Sequence, residues 1–128
     1  MEDIMPNGKL VLIIEDNERV SLAQKDYLES EHPSIEIMVA DNIDSAKECL
    51  KIYGRGLSLI ILDACLQSDK PNSMPLIAES RKYGFSGPII ASSESTDYVQ
   101  ILVKAGALPA EDKSDAVKIA VQLLTIKT

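Results

Sequence analysis

Four places in this 128-residue sequence carry side chains that could do chemistry together. Glu15 and Asp16 stand side by side after the apolar run Leu10 to Ile14. Asp63 closes a second run, Leu57 to Leu62. Ser92 and Ser93 follow a third, Pro88 to Ala91, and Lys113 comes directly after Glu111 and Asp112. The set is three carboxylates, a hydroxyl and an ammonium. Two like charges about 4 Å apart repel by about 4 kcal/mol at an effective dielectric near 20, so three carboxylates in one crevice call for a cation. Mg2+ takes oxygen ligands, typically one or two carboxylates with phosphate oxygens and waters. Lysine suits a phosphoryl oxygen as a point charge. A carboxylate can itself be the nucleophile and become an aspartyl phosphate. Phosphoryl transfer needs mostly positioning and charge neutralisation, which such a set supplies.

These residues meet only if the chain folds so that the ends of its apolar runs converge. The runs are short and continuous, as strands covered on both faces are. They are expected at 9–14, 35–39, 57–62, 88–91 and 107–110. The last is interrupted by Pro109 and belongs at a sheet edge. Helices are expected between them. Asn17 can cap one running to about Ser30, with Val20, Ala23, Tyr27 and Leu28 on its inward face. Asp41 to Asp44 offer caps for a second, which Gly54 and Gly56 stop. Pro75 opens a third, which ends at Gly84. Ser95 or Thr96 caps a fourth ending at Gly106, with Val99, Leu102 and Val103 as core. Ser114 caps the last, with Val117, Ala120, Val121 and Leu124 inward. Strands alternating with helices imply a parallel sheet with helices on both faces. In such a sheet ligands bind at the carboxyl ends of the strands, where the candidate residues stand.

The composition narrows the function further. A net charge of −7 argues against a nucleic-acid phosphate binder, which needs a basic face. Cys49 and Cys65 form no CxxC pair and read as free thiols of a cytoplasmic protein. Met1-Glu2-Asp3 is acidic where a signal peptide is basic, and no apolar run approaches the ~20 residues that span a bilayer. The single His32, before Pro33, reads as a solvated loop residue. Asp16 with Asn17 also suits a helix cap, Asp63 a turn, and Lys113 a surface position. Residues 1–8 read as an N-terminal leader and 9–128 as one domain, with the last helix leaving no segment for an effector domain.

Four motifs in order, Val11-Leu-Ile-Ile-Glu-Asp-Asn17, Leu59-Ile-Ile-Leu-Asp63, Pro88-Ile-Ile-Ala-Ser-Ser93 and Ala105-Gly-Ala-Leu-Pro-Ala-Glu-Asp-Lys113, resemble the receiver domain of bacterial response regulators. The resemblance covers the chain from about Lys9 to Lys127. It implies a flavodoxin-like three-layer α/β sandwich, a five-stranded parallel sheet of order 2-1-3-4-5 with five helices. It also implies that Asp63 is the phosphoacceptor, with Mg2+ held by Asp16, by Glu15 mostly through water, by Asp63, and by the backbone carbonyl of Cys65. Ser93 matches the hydroxyl that moves toward the phosphate, with Ser92 as a one-residue register alternative, and Lys113 matches the lysine that pairs with it. The implied donor is a sensor histidine kinase or histidine phosphotransfer protein, and the implied output is a protein-interaction surface that switches. Ala110 stands where the family often has an aromatic, Ser114 where it has Pro, and Gln67 with 68–73 replaces its usual loop. Catalytic residues match while readout residues depart, which implies phosphorylation with an unusual output. A phosphatase using an aspartate nucleophile needs a second Asp at position 65, which is Cys, so no turnover enzyme is expected. A flavin binder needs a phosphate-cradling loop where Glu15-Asp16-Asn17-Glu18 stands. The alternative is the same fold used as a phosphorylation-independent docking module.

Overall fold

The computed structural model describes residues 9–125, so the leader expected at 1–8 lies outside the described residues. The apolar run at the start becomes strand β1 (Lys9–Ile14). It pairs in parallel with β2 (Ile35–Ala40) on one side and β3 (Leu59–Asp63) on the other. β3 is central and fully buried, and its other neighbour is β4 (Ile89–Ser92), giving the order β2-β1-β3-β4. The sheet is parallel, as the alternation of runs and caps requires.

The period of two along each strand divides the core into two layers. Leu12 and Ile14 of β1, Ile60 and Leu62 of β3, and Ile89 and Ala91 of β4 pack on one face. Their partners there are α2 (Ile43–Tyr53), α3 (Pro75–Lys82) and α4 (Thr96–Lys104). Val11, Ile13, Leu59, Ile61 and Ile90 face the other way, against α1 (Glu18–Glu31) and α5 (Lys113–Thr125). The fold is the expected three-layer α/β sandwich with five helices. Val99 and Leu102 of α4 are core, as expected.

The expected fifth strand is reduced to one bridge. Leu108 pairs with Ile90, donating to the Ile89 carbonyl at 2.7 Å and accepting from the Ala91 N–H at 2.8 Å. Pro109 follows with its ring nitrogen on the open edge, where no N–H is needed, and beyond Leu108 no further ladder bond to β4 forms among the described residues. Leu108 still occupies the fifth position, beyond β4.

Helix starts follow the cap chemistry with one exception. Asn17, Asn42 and Ser95 accept from the N–H groups of Val20, Ser45 and Tyr98. At α5 the cap is Asp112, not Ser114: its Oδ1 accepts from Asp115 N–H at 2.7 Å, and Ser114 lies inside the helix. Gly84 and Gly106 end α3 and α4 at φ +93° and +120°, a left-handed backbone that glycine adopts without penalty.

Two expectations fail on burial. The inward residues of α1 are Ser21, Gln24 and Leu28, while Ala23 is exposed and Val20 and Tyr27 are half-buried. Ser21 and Gln24 can turn inward because they are hydrogen-bonded there, Ser21 Oγ to the Glu18 carbonyl and Gln24 to β4 and α5. His32 is half-buried rather than solvated. It caps the carboxyl end of α1, donating its N–H to Leu28, and its Nε2 lies 3.4 Å from the Leu124 carbonyl of α5. None of the described helices is long and apolar enough to cross a membrane.

Candidate functional site

Adjacent strands β1, β3 and β4 end at the same level, and the residues just beyond them form one cluster. Glu15 continues the pairing of β1, its N–H donating to Ala40 at 3.0 Å, which turns its side chain inward to 1% exposure. Asp63 is the last residue of β3, opposite Ser92 in the register, and is 5% exposed. Asp16 is half-buried at the rim. One carboxylate oxygen from each of Glu15, Asp16 and Asp63 lies within 4.8 Å of the others.

Lys113 enters from the opposite side. As the first residue of α5 it is placed by the Asp112 cap, and its own N–H donates to the Glu94 carboxylate at 2.9 Å. Its ammonium donates to Glu15 Oε2 at 3.1 Å, stands 3.0 Å from Oε1, and lies 3.5 Å from Asp63 Oδ2. One cation therefore faces three carboxylates, and the crevice is short of positive charge.

The titration of Asp63 reports that shortage. Burial first, then the nearby Glu15 charge, pushes its carboxyl up to about 7. The Lys113 ammonium works against this, and a hydrogen bond with Glu15 and the Asp16 charge add to the rise. Burial lowers the Lys113 ammonium, but its bonds and charges with Glu15 and Asp63 outweigh it and hold the group above the usual lysine range. The donor set is all carboxylate oxygen, which suits a hard divalent cation rather than a soft one. A doubly charged ion would remove the repulsion that raises Asp63.

The loop after β3 is built around this cluster. Ser73 Oγ donates to the Asp63 carbonyl at 2.6 Å, and Asn72 brackets Leu66, accepting from its N–H at 2.7 Å and donating to its carbonyl at 2.9 Å. Cys65 lies in this loop, two residues past Asp63 and half-buried. Burial and the charges of Asp63 and Asp16 hold its thiol above the usual range. Cys49 is likewise free and raised, by burial and Glu48.

The two serines separate. Ser92 Oγ is under α1, accepting from Gln24 Nε2 at 3.2 Å. Ser93 Oγ lies in the loop beyond β4, accepting from Ser95 N–H at 3.1 Å. The structure therefore brings Glu15, Asp16, Asp63 and Lys113 into one crevice and places Ser93, buried, one residue past the strand that borders Asp63. Gln24, Ser73 and the bond from Gln67 N–H to Asp16 leave no mark in residue type or spacing, since each spans a distance that only the fold closes.

No family model matches the sequence, and no curated protein matches it. Solved structures do match. A response regulator protein from Burkholderia pseudomallei, with a phosphorylated aspartic acid, calcium ion and citrate, is 24% identical with a TM-score of 0.73. The match covers 91% of this chain and 66% of that one. The receiver domain of NtrX from Brucella abortus is 21% identical, TM-score 0.72, covering 91% and 99%. The signal receiver domain of NarL from Mycobacterium tuberculosis is 18% identical, TM-score 0.71, covering 95% and 100%. The fold of this chain is that of the receiver domains of response regulators.

Proposed function

We propose that this chain is a phosphoacceptor receiver domain of a two-component system. It takes a phosphoryl group onto Asp63 from a sensor histidine kinase or a histidine phosphotransfer protein, in the cytoplasm of a bacterial cell. The observation that carries this reading is the meeting of Asp63 with Glu15, Asp16 and the Lys113 ammonium at the carboxyl ends of the central strands of a receiver fold.

In the transfer, a carboxylate oxygen of ionised Asp63 attacks phosphorus. The bond from phosphorus to the donor's imidazole nitrogen breaks, and its electron pair returns to the imidazole, leaving an acyl phosphate. Glu15, Asp16, Asp63 and the Cys65 backbone carbonyl would hold Mg2+, which supplies charge neutralisation of the phosphoryl oxygens when bound. Lys113 moves from its carboxylate partners to a phosphoryl oxygen, and the Ser93 hydroxyl donates to another. Glu15, buried beside Asp63, would remain to hold the cation. The chain is a stoichiometric acceptor rather than a turnover enzyme, Cys65 standing where a general acid would be required.

The test is mass spectrometry after incubation with acetyl phosphate, with and without Mg2+. Mg2+-dependent gain of one phosphoryl group on the wild type and none on Asp63→Asn, with Asp63→Asn still folded, is the expected result. No gain on the wild type would leave the docking-module alternative, and persistent labelling of Asp63→Asn would move the acceptor elsewhere.

A further inference from the structure

Gln24 is a 3% exposed polar residue on the inward face of α1 that the acidic cluster does not use. Its Nε2 donates to Ser92 Oγ at 3.2 Å and to the Lys113 carbonyl at 3.1 Å, partners 68 and 89 positions away. One belongs to the end of β4, next to Ser93, and the other to the first residue of α5, whose ammonium faces Asp63. A single amide therefore fastens both elements that present groups to the phosphoryl oxygens. Among the described residues no donor reaches Gln24 Oε1. An unsatisfied buried acceptor is a cost that an aliphatic side chain would avoid, so packing alone does not account for the amide. Gln24 also lines a groove of about 640 Å³ between α1 and α5, whose walls include Val20, Tyr27 and Val117.

We propose that Gln24 is a positioning residue that couples the state of Asp63 to the α1–α5 groove. The inference rests on the phosphoacceptor reading. A phosphoryl group on Asp63 draws the Lys113 ammonium and the Ser93 hydroxyl, so the start of α5 and the end of β4 shift. Both are bonded to one amide carried by α1. The Lys113 carbonyl can only accept, so the amide cannot satisfy it by turning over. The amide follows, moving α1 against α5, or gives up a bond.

The test compares the wild type with Gln24→Met and with the double variant Gln24→Met/Ser92→Ala. Methionine keeps length and volume without the amide. The double variant removes both side chains of the Gln24–Ser92 bond, so neither is left unpaired, and only the Lys113 carbonyl loses the amide. Methyl NMR of Val20 and Val117 is recorded before and after beryllium fluoride with Mg2+, a mimic of the acyl phosphate. Phosphoryl uptake from acetyl phosphate is followed by mass spectrometry in parallel. The expected result is a methyl shift in the wild type that falls by about twofold or more in both variants, within the range a coupling residue carries, while Asp63 still takes up phosphoryl. Uptake in all three proteins with an undiminished shift in the variants, or with no shift in the wild type, overturns the inference and leaves the phosphoacceptor reading standing. Absence of uptake in the wild type overturns both.

Discussion

Asp16 Oδ2 accepts a 2.6 Å hydrogen bond from the backbone N–H of Gln67, 51 residues further along the chain. Half of a candidate metal-binding carboxylate is thus spent on holding the loop after β3 over the site. Gln67 sits at φ +55°, in the left-handed region, so the loop reaches Asp16 through a strained residue.

Two substitutions at Asp16 divide its roles. Asp16→Asn keeps an acceptor oxygen for Gln67 but loses the charge, so Mg2+ affinity should fall by about 10-fold or more while the Gln67 amide stays protected from hydrogen exchange. Asp16→Ala should lose both. At the other end, Gln67→Gly should hold or slightly raise the urea midpoint by relieving the left-handed Cβ, and Gln67→Val should lower it, because a β-branched side chain fits that region less well than glutamine. A protected Gln67 amide in Asp16→Ala would show that the loop is held by something else.

Stability without divalent cations should fall as pH rises from about 4 to about 7. Asp63 has a folded value near 7 against 3.8 unfolded, so across that window the folded state binds a proton that the unfolded state has lost. The sign of the linkage then makes the protein most stable at the acid end. Asp63→Asn should remove this slope, measured by urea unfolding at a series of pH values. Lys113 is raised as well, so its contribution is present below the ordinary lysine value of 10.5 and is lost only as pH climbs through its higher folded value.

Lys113→Met should strand Glu15 and Asp63 without their cation. Breaking a well-buried pair costs about 3–5 kcal/mol. The Lys113 side chain is 21% exposed, so a loss of about 1–3 kcal/mol is expected. Millimolar Mg2+ should recover much of it, and Mg2+ affinity should be kept while the conformational response to phosphoryl is lost. Lost metal affinity would contradict the role given to the lysine.

Mg2+ should also raise the melting temperature of the wild type. Ligand at 100 times its Kd adds about 2.7 kcal/mol, which is several degrees for a domain of this size. Calorimetry with and without Mg2+ measures it, and an unchanged melting temperature would count against the acidic cluster as a cation site.

The strands and the ends they present were legible because a parallel sheet buried on both faces writes itself as unbroken apolar runs, and each run here stops at a charged or hydroxyl residue. Glu15, Asp16, Asp63 and Lys113 could be placed together for that reason alone. What escaped were contacts whose partners share no period. Gln24 faces inward although Val20 and Ala23 looked better suited, because Ser92 and the Lys113 carbonyl offer it partners, and Ser21 beside it is satisfied by the Glu18 carbonyl of its own helix. Asp112 rather than Ser114 caps α5, since several oxygen-bearing residues crowd that turn and only the direction of entry chooses among them. Pro109 announced a short edge, but not that it would leave one bridge.

That bridge gives the sheet two unequal borders. On one side β2 is fastened to β1 along six paired residues, while on the other the segment carrying Leu108 hangs on two bonds to Ile89 and Ala91. Thermal opening should begin at the weaker seam, with the Leu108 amide exchanging well before those of β3. The stretch that leads into Lys113 is thereby easier to reposition than the opposite border along β2.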